Sequence, residues 1–136
     1  MIDAQQLLPR SKYDLDAIPA IVEAGYPAIA PILGDLLDWT ADSNWPIAGP
    51  LADFLVTLGT PLIDPISRVL RRADGTQKWH CIALIVQRLP KEVLGGLEED
   101  LRQLADRPSD DDRREEADVL AQEALLRFER QSAVIL

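Results

Sequence analysis

Gly25-Tyr26-Pro27-Ala28-Ile29-Ala30-Pro31-Ile32 returns further along the chain as Gly59-Thr60-Pro61-Leu62-Ile63-Asp64-Pro65-Ile66. Gly, Pro, Ile, Pro and Ile recur at a constant offset of 34 residues, and Trp45 and Trp79 share that offset. Self-similarity with a period of roughly 20–50 residues marks stacked supersecondary units, none of which can bury its apolar face alone. Glycine stops one helix where positive φ is cheap only without a β-carbon. Proline two residues later begins the next helix, where a missing N–H costs nothing. The second proline, four residues on, stays near the first turn and bends the helix start rather than breaking it. A helix–Gly–Pro–helix corner of this period is shared by tetratricopeptide and HEAT-like hairpins. The paired prolines and the lack of the tetratricopeptide aromatic pattern favour the HEAT-like form.

Working outward, helical stripes flank each corner. Residues 1–13 read as a lead-in, and Ser11 or Asp14 is expected to cap a first helix. That helix carries Leu15, Ile18, Ile21 and Val22 up to Gly25. A second, over 27–39, buries Ile29, Ile32, Leu33, Leu36 and Leu37. A third opens at Trp45-Pro46 with Ile47, Leu51, Phe54, Leu55 and Leu58 inward. A fourth, over 61–72, buries Leu62, Ile63, Ile66, Val69 and Leu70. Asp74-Gly75-Thr76 reads as a loop. A fifth helix, over 77–88, turns Trp79, Ile82, Ile85, Val86 and Leu89 inward. After Pro90 the repeat decays, and Leu94-Gly95-Gly96 can break a short helical turn from the next helix. There Leu97, Leu101 and Leu104 answer Leu62, Ile66 and Val69 at an offset of 35. A last helix over 111–130 starts with three carboxylates, which favour a helix dipole, and has the polar face of a capping element. The expectation is an all-α, HEAT-like antiparallel stack of about seven helices in roughly three pairs. It forms a single domain over 1–136, with a tail at 131–136, apolar over Ala133-Val134-Ile135-Leu136, that docks back or frays.

Composition limits the function classes. The chain has 136 residues, 47% hydrophobic side chains and one cysteine, Cys81. It is long enough to bury a core, and a lone cysteine excludes an internal disulfide and fits a reducing cytoplasm. The start has no basic run followed by an apolar segment, so no secretory signal is expected. No apolar run approaches the ~20 residues that span a bilayer. The net charge is −9, with 10 acidic and 7 basic side chains up to residue 90 and 13 acidic against 7 basic after it. A field of that sign repels phosphate backbones, so nucleic acid is a disfavoured partner and a basic protein surface a favoured one.

Catalytic and metal chemistry finds little to use. His80 and Cys81 are adjacent in sequence, so on a helix they diverge by about 100° and do not share one ion. Asp110-Asp111-Asp112 lacks the alternating ligands and central glycine of a calcium loop and reads as a capping, solvated run. Glu98-Glu99-Asp100 and Glu115-Glu116 read as exposed faces, without signs of the pocket that acid–base work needs. No glycine-rich phosphate loop is present. No cofactor or metal is expected. Arg68, Arg71 and Arg72 form a basic ridge on the fourth helix, read either as an anion or partner contact or as dipole complements paired with Asp35 or Asp38. Trp45 and Trp79 are expected to pack between neighbouring repeats. Trp39 lies off the main stripe, at the edge of the core or in a contact.

Leu7-Leu8-Pro9-Arg10-Ser11-Lys12-Tyr13-Asp14, Asn44-Trp45-Pro46-Ile47-Ala48, Pro50, Lys78-Trp79 and Leu89-Pro90 together resemble a bacterial family catalogued as domain of unknown function 5071. The resemblance covers nearly the whole chain. It implies a compact all-helical HEAT-like domain and carries no activity, ligand or catalytic residue. The leading expectation is therefore a cytoplasmic, non-enzymatic protein-interaction module, in its sharper form an immunity-type protein that sequesters a bacterial toxin. Its contact residues are expected to be Asp35, Asp38, Trp39, Asp42, Arg68, Arg71 and Arg72, on one face. The alternatives are a nucleic-acid-binding repeat protein and a self-associating subunit, with a monomer or weak homodimer as the resting form.

Overall fold

Glycine places both corners as its chemistry requires, and Pro61 opens the helical turn after the second, whereas after the first Pro27 stays in a turn and Pro31 stands at the helical start. In the computed structural model, which describes residues 3–133, Gly25 has φ 63° and ψ −178° and Gly59 has φ 74° and ψ −134°. These lie beyond the ordinary left-handed helical cap, in or near a region that only glycine enters easily. After each glycine a 3₁₀ turn precedes the next helix, at Ala30–Ile32 and Thr60–Leu62, each with a proline at its start. The Tyr26–Pro27 peptide bond is cis.

All regular structure among the described residues is helical. The α-helices are α1 (Ala17–Ala24), α2 (Leu33–Asp38), α3 (Ala48–Leu55), α4 (Ile63–Arg72), α5 (Gly75–Leu84), α6 (Lys91–Gly95), α7 (Glu98–Asp106), α8 (Asp110–Arg114) and α9 (Ala117–Ala133). Among the described residues, nine α-helices replace the expected seven or so. One of the two additions is α6, the short turn set off by Gly95-Gly96. The other arises because the last helix is two helices: Glu116 takes φ 62° between α8 and α9. No Gly or Pro marks that break, so helical periodicity ran straight through it.

The core follows the apolar stripes. Ile29, Ile32, Leu36, Ile47, Leu51, Leu55, Leu62 and Ile66 are all fully buried, as are Ile82, Ile85, Val86 and Leu89. Leu97, Leu101 and Leu104 join the same core, so the degraded third copy still buries its leucines. The first helix departs from expectation. Leu15 precedes it, in a turn, and is 46% exposed; Val22 is 47% exposed, leaving Ile21 as its buried anchor. Neither expected cap serves α1. The Asp14 carboxylate accepts from the Arg10 N–H and the Ser11 hydroxyl from the Tyr13 N–H. Gly75 belongs to α5 rather than to a loop, because Asp74 caps that helix by accepting from the Gln77 N–H. Of the tail, 134–136 lie outside the described residues.

Helices α2, α4 and α7 meet in sequence, α1 meets α3, and α9 packs on α5 and α7. A ladder of polar contacts crosses the units. The Ile47 N–H donates to the Lys12 carbonyl. Gln77 donates to Asp38, Arg88 pairs with Asp53, Ser67 donates to Asp100 and Lys78 pairs with Asp112. The four side-chain contacts span 33 to 39 residues, close to the 34 of the sequence repeat.

Candidate functional site

Two hollows open along α4, one on each side. The first lies between α2 and α4 and has a volume of about 530 Å³. Its walls are built from the repeated corners: Pro31, Asp35 and Asp38 on one side, Asp64, Pro65 and Arg68 on the other. Pro31 and Pro65 are equivalent positions of the repeat, so the corner that turns the chain also shapes the hollow. Asp35, Asp38 and Arg68 are exposed. The Arg68 guanidinium makes no ion pair among the described residues, and Asp38 accepts a 2.9 Å bond from Gln77 Nε2.

The remaining expected contact residues go elsewhere. Arg71 points to the other side of α4, 3.8 Å from Asp100. Arg72 is exposed at the end of α4 and lines neither hollow. Trp39 is half-buried and packs edge-to-face on Trp45 with ring centroids 6.1 Å apart. Asp42 closes its own turn by accepting from the Asn44 N–H at 2.8 Å. The structure thus gathers Asp35, Asp38 and Arg68 around one hollow, which Trp39, Asp42, Arg71 and Arg72 do not line. Trp79 stacks edge-on against His80, whose Nδ1 accepts from the Ser43 N–H and ties α5 to the turn before α3.

The second hollow, about 570 Å³, lies between α4, α5, α7 and the start of α8. Sequence reading missed its floor. Lys78 is 8% exposed and Asp112 is 4% exposed, and the Lys78 ammonium donates to Asp112 Oδ1 at 3.0 Å. Asp112 is therefore a buried member of the acid run, correcting its reading as solvated. Burial pushes its carboxyl pKa up, but hydrogen bonds from Ser109 and Lys78 outweigh that and hold it below the usual carboxylate range. It completes a capping box with Ser109, each side chain accepting from the other residue's N–H. Asp111 accepts from the Gly75 N–H at 2.7 Å, and a β-carbon on Gly75 would lie 2.6 Å from the Asp111 carbonyl oxygen. A missing side chain lets the two helix starts meet. The available signal was positional: Lys78 stands three and four residues before the buried Cys81 and Ile82, on the inward face of α5.

Nucleophilic chemistry has no support in this core. Burial pushes the Cys81 thiol up to about 12, so it stays protonated. Among the described residues no group of three or more His, Cys, Asp or Glu is placed to hold a metal ion, and no helix is long and apolar enough to cross a membrane. A family model described as Domain of unknown function (DUF5071) matches residues 7–125. No curated protein matches the chain.

Proposed function

The chain belongs to the DUF5071 family, and from that premise we propose that it is a HEAT-like helical module that binds another protein and catalyses no reaction. Support for the stack is the ladder of contacts about one period apart, together with the α2–α4–α7 row. The observation that carries the binding role is the hollow between α2 and α4. It presents a guanidinium, Arg68, with no ion pair among the described residues, opposite two exposed carboxylates, Asp35 and Asp38, on walls that carry the repeated prolines Pro31 and Pro65. Exposed charge of both signs on one concave surface is what specific recognition uses. The net charge of −9 favours a basic partner, of which a secreted toxin met in the cytoplasm is one form.

A photo-crosslinking side chain at position 35 or 68 is expected to capture one discrete partner in the native host. The same group at Gln122, exposed on α9, is expected to capture none. Equal capture from all three positions, or none from any, overturns the reading. Binding of duplex or single-stranded DNA at low salt, lost in Arg68→Gln, would favour the nucleic-acid alternative. A concentration-dependent dimer by light scattering, lost on truncation after Arg130, would favour self-association.

A further inference from the structure

The second hollow has charges left over after its internal pairs are formed. Asp100 is taken by Ser67 and Arg71, and Asp112 by Lys78 and Ser109. What remains among the described residues is Glu99 and Arg107, neither of them in an ion pair, and the Lys78 ammonium, with one of its three N–H groups claimed. These groups are segregated. Glu99 adjoins Asp100 at one end of α7. Arg107 leads into Pro108-Ser109, beside the Lys78–Asp112 pair, at the other. Glu99 and Arg107 are eight residues apart along α7, so about 12 Å separates their backbones at a rise of ~1.5 Å per residue. A buried ion pair is poor value as a stabiliser, because well-packed apolar side chains of the same volume serve as well or better. A nine-tenths-buried lysine with spare donors facing a polar hollow is therefore better explained by something that uses those donors.

We propose that this hollow binds a short zwitterionic peptide. Its carboxylate sits between Arg107 and the free N–H groups of Lys78, and its ammonium sits on Glu99. An extended tripeptide spans about 10 Å, at roughly 3.3–3.6 Å per residue, a length comparable to the separation of those two backbones. The lining carries three cations and three carboxylates, so it holds no net charge and favours a ligand that is itself neutral overall. This site is separate from the α2–α4 surface, and the crosslinking test above is blind to it.

The probe is triglycine, titrated into isotopically labelled protein with the backbone N–H signals of Gln103 and Ser109 as readout. Triglycine is expected to give saturable shifts confined to the hollow. N-acetyl-triglycine, which lacks the ammonium, and triglycine amide, which lacks the carboxylate, are each expected to bind at least ~10-fold more weakly. Arg107→Gln should shrink the difference between triglycine and its amide, with Lys78 still on the carboxylate, and Glu99→Gln should erase the difference between triglycine and its acetyl form. Both side chains are exposed and neither is in an ion pair among the described residues, so neither substitution removes such a contact there. The absence of saturable shifts, equal binding of all three peptides, or indifference to both substitutions overturns the proposal.

Discussion

Gly25 and Glu116 have nearly the same φ, 63° and 62°, and they reach it by opposite routes. At Gly25 the residue itself is sufficient: glycine enters positive φ freely, and past the turn at Pro27 the next helical turn opens at Ala30-Pro31. At Glu116 nothing local favours the turn. A glutamate in the left-handed region costs roughly 1–2 kcal/mol, and the surroundings impose it. Asp112 is fixed on Lys78 and in the Ser109 capping box, while Ala117, Ala121 and Ala124 must face the core on α9. One helix cannot do both, so the chain breaks. The N-terminal corners are written in the residues that turn, and the C-terminal one in residues that do not.

Removing the charge pair is the hardest test of that difference. Lys78→Met leaves the buried Asp112 carboxylate without its cation and is expected to cost ~3–5 kcal/mol in urea unfolding at neutral pH. Adding Asp112→Leu to it should recover part of the loss, the shortfall being the capping box that goes with the carboxylate. A cost for Lys78→Met below ~1 kcal/mol would show that the pair does not hold this end of the fold.

The corners come next. Gly25→Ala and Gly59→Ala should each cost ~1–3 kcal/mol, since both force a β-carbon into a glycine conformation. At Gly59 no atom lies within 4 Å of that β-carbon, so backbone strain alone would be responsible. Gly34→Ala, in α2 with equally open space around it, is the control and should raise stability by up to ~1 kcal/mol.

Glu116→Gly has a smaller expected effect of the opposite sign. It relieves the imposed φ at some cost in chain entropy, and thermal unfolding should show a gain of at most ~1 kcal/mol. A loss instead would mean that the glutamate side chain itself stabilises the turn.

The mildest effect near neutrality is that of pH. The folded Asp112 pKa lies below its unfolded value of ~3.9. Its contribution is therefore complete above ~3.9 and is lost as pH falls through the folded value. Asp112→Asn should flatten the acid limb of stability against pH and leave the slope between pH ~5 and ~8 unchanged.

Most of the fold was legible because its determinants are local. The corners, the stripes of α3, α4 and α5 and the leucines of α7 all follow from residues close in sequence. Leu15 and Val22 misled because their spacing fits a helix face that no neighbouring element covers. The candidate surfaces were legible only in part. Asp35, Asp38 and Arg68 stand on repeat-bearing segments, so their proximity followed from the period. Lys78 and Asp112 are single charged residues on otherwise ordinary helices. Their burial depends on a contact across 34 residues that no local pattern announces.

The ladder of contacts also bears on how fast this chain finds its structure. Each rung closes a loop of about one repeat, and closure entropy grows only as the logarithm of loop length. Units can therefore form one against the next without any early search for distant partners.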